Sequence, residues 1–167
     1  PLEGVGFQGH FHGSHLARSP EQLWNTLERF GRFGLPMIVT EFDCFGRRRK
    51  DPDVQLPPEE KVGMQSDFMR DFLITLYSHP QVEGILFWGF WDGRHWAKSA
   101  AFFEGDWTPK PFYQQYRDLV FDAWWTDETE TTNDEGVAAF RAFHGTYRIT
   151  ITAADKSWTF DAVVPED

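Results

Sequence analysis

Residues 36–42 read PMIVTEF, and this stretch decides the fold because an apolar, β-branched run carries a single glutamate, Glu41, near its end. A short apolar run of this kind predicts a strand buried on both faces, as in a parallel sheet. Two further runs, GVGFQGH at 4–10 and VEGILFWGF at 82–90, predict strands before and after it. The sequence therefore predicts three buried strands.

Three segments with helical spacing alternate with these strands. The first opens at Ser19, a capping hydroxyl followed by Pro and Glu, and closes at Gly34. The second covers residues 57–78 and the third residues 111–123. Alternating strands and helices predict right-handed crossovers and a parallel sheet, hence an α/β fold. Three such units do not close an eight-stranded TIM barrel, which takes about 250 residues.

The composition changes after Trp125. Residues 126–135 (TDETETTNDE) form a polar, acidic linker. Three later stretches alternate as short antiparallel strands do: residues 137–143, 147–153 and 158–164. We therefore expect a strand–helix domain over residues 1–125. Residues 126–167 should form the linker and a small antiparallel β appendage without catalytic groups.

Charge and composition limit the function. The net charge of −10 argues against a nucleic-acid partner, whose phosphates would be repelled. No run of about eighteen apolar residues is present, so no membrane partner is expected. The lone Cys44 excludes an intrachain disulfide framework and a multi-cysteine zinc site. The sequence opens on Pro1 and enters a strand almost at once, which suggests the middle of a longer polypeptide.

Glu41 is the first candidate for chemistry. It lies at the carboxyl end of a buried strand, where an ionisable side chain is costly unless it has a partner or a function. Side chains alternate at period two, so Gln8 and His10 share one face of the first strand. If that face lines the barrel, His10 lies within hydrogen-bond reach of Glu41, and Asp43 can bind its second ring nitrogen. A solvated carboxylate and a satisfied core histidine are the alternatives.

The third predicted strand leads into FWGFWDGRHW, residues 87–96. Trp88, Trp91 and Trp96 stand beside Asp92 where the mouth of a barrel would be. Indoles in a loop flanked by polar groups favour a carbohydrate cleft, although ordinary aromatic packing accounts for Trp91 equally well. Aromatic residues make up 17% of the chain, which suits either interpretation. We treat this cluster as a candidate substrate-binding group.

A metal site is a weaker alternative. His10, His12 and His15 form the run HFHGSH, and three imidazoles can bind zinc. The spacing matches no strong motif, and the glycine and serine indicate that the strand has ended. No metal and no cofactor are therefore expected. The basic run RRRK at 47–50 is interpreted as a solvated surface loop.

Four blocks together resemble the glycoside hydrolase family 10 endo-β-1,4-xylanases, with order and spacing that agree across residues 4–125. The blocks are VGFQGHF at 5–11, MIVTEFD at 37–43, ILFWGFWDGRHW at 85–96 and DWTPKPFYQQY at 106–116. The resemblance implies the last three strand–helix units of a (β/α)8 TIM barrel from a secreted enzyme. The stretch AFHGTYRITI at 142–151 is similar to the β-rich ending of plant-type members.

The resemblance also implies roles for individual residues. Glu41 would be the nucleophile of a retaining mechanism, with His10 hydrogen-bonded to it and Asp43 supporting the histidine. The residues implied to line the sugar subsites for xylan or xylo-oligosaccharides are Gln8, Trp88 and Trp96. The family's general acid/base stands in an Asn-Glu pair, and this sequence has none. We therefore expect half of a catalytic apparatus, inactive alone, with the N-terminal half of the barrel as its partner.

Other functions remain open at this level. One is a retaining β-glucanase or cellulase of the same clan. Another is a non-catalytic carbohydrate-binding half-barrel built on the indoles Trp88, Trp91 and Trp96, and a third is a structural half-barrel that dimerises through its open sheet edges. A binding module has no use for Glu41, so the substitution Glu41→Gln separates it from an enzyme.

Overall fold

The structure is a computed structural model that describes residues 1–13, 15, 18–45, 58–97 and 99–165. Two compact units divide the chain, Pro1–Asp118 and Leu119–Asp167. The elements are β1 Val5–Phe7, β2 His10–His12, α1 Pro20–Gly31, β3 Met37–Phe45, α2 Pro58–Tyr77, β4 Val82–Phe87, α3 Pro111–Asp118, a π-helical segment Leu119–Ala123, β5 Gly145–Ala153 and β6 Lys156–Val164. The helix predicted over 111–123 changes from α-helical to π-helical hydrogen bonding after Asp118, where the first unit ends.

Strand β3 is the centre of a parallel sheet in the first unit. Strands β1 and β4 both pair with its first half, so they flank it on opposite sides. Strand β2 pairs with its second half, where His10 lies opposite Asp43. The first predicted strand is thus divided into two, and Gly9 between them has a φ of 81°. A Cβ at Gly9 would lie 2.9 Å from a methyl carbon of Val39, so this step requires glycine.

After Val39, strand β3 contains one residue more than the facing stretch of its neighbours. Two residues separate Phe7 from His10, whereas three separate their partners Val39 and Asp43. The pairing with β4 shifts in the same sense between Val39 and Phe42, and in the opposite sense between Met37 and Ile38. This is a β-bulge, a feature that breaks the alternation of side chains and redirects those that follow it.

The bulge determines which side chains of β3 face the helices and which face His10. Val39 and Phe42, three positions apart, are both buried, with exposures of 2% and 1%. Phe42 stacks on Phe72 of α2 with ring centroids 4.3 Å apart. Glu41 and Asp43 project away from this helix-covered face, because both contact His10. The core of the unit therefore lies between the sheet and the helices, and the ionisable groups lie on the other face.

Helix α1 begins as the sequence predicts. The Ser19 hydroxyl accepts a hydrogen bond from the Gln22 backbone, and the Gln22 side chain accepts one from the Ser19 backbone. This reciprocal pair is a capping box. Leu23 and Leu27, one turn apart, bury the inner face of the helix. Within the described residues, no helix has the length and apolar character that crossing a membrane requires.

The second unit contains an antiparallel hairpin of β5 and β6, in which Ile149 lies opposite Phe160. The strand predicted over 137–143 is wrong, because this stretch has no regular structure. Instead, the Asn133 side chain accepts a hydrogen bond from the Val137 backbone and closes a turn. The Tyr147 hydroxyl then ties the hairpin to the carbonyl oxygen of Phe143 at 2.8 Å.

Candidate active site

Glu41, His10 and Asp43 form one hydrogen-bonded line. His10 Nε2 lies 3.2 Å from Glu41 Oε2, and His10 Nδ1 lies 2.9 Å from Asp43 Oδ1. The carboxylate of Asp43 is 1% exposed, whereas the side chains of His10 and Glu41 are 23% and 26% exposed. The predicted contacts are confirmed. The buried Asp43 lies at one end of the hydrogen-bonded line, and the accessible carboxylate of Glu41 lies at the other.

The two carboxylates face the two ring nitrogens of His10. A neutral imidazole has one N–H, so it can donate to only one of the two carboxylates that it faces, whereas the imidazolium form donates to both. In either form the ring lies between the two carboxylates. The arrangement can hold the Glu41 carboxylate fixed in orientation, as a nucleophile requires.

Asp43 also anchors an aromatic wall. The indole N–H of Trp96 donates to Asp43 Oδ2 at 2.9 Å. The rings of Trp96 and Trp88 both meet His10 edge-on, with centroids 5.5 Å and 6.3 Å away. Both indoles remain about half exposed, at 53% and 46%. Two accessible indoles thus stand beside the nucleophile candidate, where flat apolar surfaces suit the faces of sugar rings.

The wall forms one side of an open cleft of about 650 Å³. The lining residues are Trp88, Gly89, Phe90, Trp91, Arg94, His95 and Trp96. Gln8 is exposed, and its carbonyl oxygen accepts a hydrogen bond from the Glu41 backbone at 3.1 Å. Its role in sugar binding stays a prediction, as do the roles of Trp88 and Trp96.

His95 is the site residue that sequence reasoning missed. Its side chain is 1% exposed, and its Nε2 lies 2.5 Å from the Trp88 carbonyl oxygen and 3.8 Å from Asp43 Oδ2. Its other nitrogen contacts the Ala97 backbone. Gly89 has a φ of 87°, and a Cβ there would lie 2.8 Å from the imidazole. The sequence signal for His95 is therefore Gly89, whose lack of a side chain leaves space for the imidazole.

We expect His95→Asn to be more damaging than His95→Gln. The glutamine amide can reach the position of Nε2 and keep the bond to the Trp88 carbonyl, whereas the shorter asparagine cannot. Leaving that group unpaired should lower the free energy of unfolding by about 1–3 kcal/mol and loosen the indole wall. Urea denaturation followed by tryptophan fluorescence measures the difference. Equal stability of the two variants would show that the Nε2 contact contributes nothing.

The Asp92 carboxylate is held by partners within the chain, and its role in substrate binding stays a prediction. Its carboxylate lies 2.6 Å from the Lys110 ammonium group and also accepts hydrogen bonds from the backbones of Ser99 and Ala101. Asp92 and Lys110 are both buried. The pair therefore joins the two ends of the long loop between β4 and α3.

The described residues do not support a metal site. No group of three or more His, Cys, Asp or Glu side chains is arranged among them to hold an ion. The His12 ring stacks near Phe45, and His12 and His15 lie 4.5 Å apart between centroids. Burial raises the pKa of the Cys44 thiol, which keeps it protonated. The basic run at 47–50 lies outside the described residues.

A parallel strand–helix sheet with a paired carboxylate and imidazole at its carboxyl ends fits the class of barrel glycosidases. The family model described as glycosyl hydrolase family 10 matches residues 1–119, and the chain belongs to this family. The anti-sigma-I factor RsgI6 of Acetivibrio thermocellus is 33% identical over 93% of this chain and 18% of its own length. Endo-1,4-beta-xylanase 2 of Arabidopsis thaliana is 23% identical over 98% of this chain and 14% of its own.

Solved structures agree on the fold. Xylanase 10B from Thermotoga petrophila RKU-1, in complex with xylobiose, gives a TM-score of 0.61 at 24% identity, over 74% of this chain and 37% of that one. Penicillium canescens endo-1,4-beta-xylanase XylE gives 0.60 at 20% identity with the same coverage. The predicted α/β fold, part of a TIM barrel with a small antiparallel appendage, is confirmed. The chain spans less than a fifth of the length of these two curated relatives.

Proposed function

We propose that this chain forms the C-terminal part of a retaining endo-β-1,4-xylanase in which Glu41 is the nucleophile. The observation that carries the proposal is the line from Glu41 through His10 to the buried Asp43. Family membership supports glycoside hydrolysis, and the named xylanases among its relatives support xylan as the substrate. Because xylan is too large to enter a cell, we place the enzyme outside it.

The reaction follows from this geometry in two displacements. Glu41 attacks the anomeric carbon, and a general acid protonates the leaving oxygen. Water then hydrolyses the glycosyl ester, with the same residue acting as base. His10 orients the Glu41 carboxylate, and Asp43 holds the His10 ring in place. Trp88 and Trp96 hold the sugar ring against the carboxylate.

The general acid has to come from elsewhere in the barrel. Retaining glycosidases place the two carboxyl groups about 5–5.5 Å apart. Asp43 is near enough to share His10 with Glu41, but both of its oxygens already accept hydrogen bonds. Asp92 is paired with Lys110. We propose that the acid stands on the N-terminal strand–helix units and that the present chain is inactive without them.

Covalent trapping tests the nucleophile directly. A dinitrophenyl β-xylobioside, fluorinated next to the anomeric carbon, has a leaving group that needs no protonation, and its glycosyl ester hydrolyses slowly. We expect one adduct per chain on the peptide that contains Glu41, measured by mass spectrometry, with the chain alone or with added N-terminal units. Glu104→Gln, a substitution at an exposed carboxylate, should label normally. An adduct on another residue, or none in either sample, would contradict the assignment.

Carbohydrate binding without turnover is a second candidate. The observation that favours it is the match to an anti-sigma factor at 33% identity over 93% of this chain, since that relative is named as a regulator. In this case Glu41→Gln should leave affinity for xylo-oligosaccharides unchanged, and the trapping reagent should give no adduct. A cellulase or β-glucanase of the same clan would instead bind cellohexaose more tightly than xylohexaose.

A further inference from the structure

The loop after β4 carries a second aromatic group that the proposed reaction does not use. Trp107 stands in a tight turn, in which the Trp107 backbone donates to the Glu104 carbonyl oxygen and the Glu104 backbone donates to that of Thr108. Hydrogen bonds from Thr108 also hold the pKa of the Asp106 carboxyl below its ordinary value. Trp107 has a φ of 71°, a conformation that a bulky side chain rarely adopts. The turn therefore holds Trp107 in a backbone conformation that tryptophan disfavours.

The Trp107 ring is supported from behind. It stacks on Trp91 with centroids 5.1 Å apart and planes inclined by 7°. The Trp91 indole N–H donates to the Gly105 carbonyl oxygen at 3.1 Å. Gly93 leaves the space for the Trp91 ring, because a Cβ there would lie 2.2 Å from it. The two indoles are thus held as a preformed stack, so binding a ligand on them would require little ordering.

The outer side of this stack is open. Trp107 is 55% exposed and Phe90 is 58% exposed, with ring centroids 6.1 Å apart and planes inclined by 38°. Phe90 and Trp91 also line the cleft beside Trp88 and Trp96. The exposed rings therefore continue the cleft outward from the nucleophile candidate.

We propose that Trp107 and Phe90 form an outer stacking platform for one sugar ring of a β-linked polysaccharide, beyond the rings at the bond to be cleaved. The apolar face of a pyranose fits a flat, fixed indole, and the exposed carboxylate of Asp106 can accept hydrogen bonds from its hydroxyls. Continuity with the cleft makes a sugar chain the fitting occupant. The choice of xylan as that chain rests on the proposed function.

Trp107→Gly is the decisive variant, because glycine adopts a positive φ freely and the turn should persist without the ring. Calorimetric titration of the 167-residue chain with xylobiose and xylohexaose measures the effect. We expect Trp107→Gly to weaken xylohexaose binding about 3- to 10-fold, the scale of one aromatic stacking contact, and to leave xylobiose unchanged. Trp107→Phe should restore most of the affinity. Trp125→Gly, which removes an exposed indole in the second unit, is the matched control.

The outcomes separate the platform from the substrate assignment. Unchanged xylohexaose affinity in Trp107→Gly overturns the platform, as does an equal loss for both sugar lengths. Tighter binding of cellohexaose than xylohexaose, with the same dependence on Trp107, supports the platform and contradicts xylan. If no β-linked hexasaccharide binds, both proposals fail. A loss that disappears once the N-terminal units are added shows that they cover Trp107, and this also overturns the platform.

Discussion

Glu41→Gln should abolish xylan hydrolysis in a barrel completed by adding the N-terminal units of a family 10 xylanase. Glutamine keeps the size of the side chain but is far too weak a nucleophile to form the glycosyl ester. We expect kcat to fall on the order of 10⁴-fold or more, the scale found when a nucleophile is removed. Release of reducing sugar from xylan measures it, with Glu104→Gln as the control that stays active.

The activity of the chain without the N-terminal units is the reference value for that experiment. Leu86 and Ile38 lie on the sheet with exposures of 50% and 37%, and β1 and β4 flank β3 with their outer edges uncovered among the described strands. Exposed strand edges and apolar faces promote association. We therefore expect the chain alone to associate and to lack xylanase activity. Full activity of a monomeric chain of 167 residues would refute the proposal that the general acid lies on the N-terminal units and not on this chain.

Lys110→Met should cause the largest loss of stability among single substitutions in the loop after β4. It leaves the buried Asp92 carboxylate without its cation, and breaking a buried pair in this way costs about 3–5 kcal/mol. Denaturation by urea, followed by tryptophan fluorescence, measures the free energy of unfolding of the strand–helix unit.

The double variant Asp92→Asn with Lys110→Met serves as the control. It removes both charges, so it should recover a large part of the loss, because a neutral amide is less costly to bury than an unpaired carboxylate. A single variant that loses less than about 1 kcal/mol would mean that the pair behaves like an exposed ion pair. In that case the pair with Lys110 would not keep Asp92 from contacting a ligand.

Much of the first unit could be predicted from the sequence, because its signals are local. Apolar runs and helical spacing located the strands and helices, and Ser19 located the start of α1. The contact of Glu41 with His10 followed from the parallel sheet, which brings the carboxyl ends of neighbouring strands to one edge. The strand predicted over 137–143 is absent because an alternating pattern of apolar residues does not show whether a strand has a partner.

The missed features depend on contacts distant in sequence. The role of Asp92 is determined by Lys110, eighteen positions later, and no spacing rule connects a loop aspartate with that lysine. His95 binds a carbonyl oxygen of Trp88, and no spacing of side chains identifies a backbone partner. The bulge in β3 is a mismatch between strands, so it became visible only when their pairing was known.

The bulge in β3 also limits how this site can be transferred to another protein. In a strand with regular alternation, the residue two positions after Val39 would share its buried face, and the bulge allows Glu41 to project to the His10 side instead. A designer who copies residues 39–43 onto a strand without the bulge would therefore turn Glu41 toward the helix-covered core, where a carboxylate is costly. The residue count and the bulge have to be transferred together, because a regular strand keeps Glu41 on the His10 side only if Thr40 is omitted.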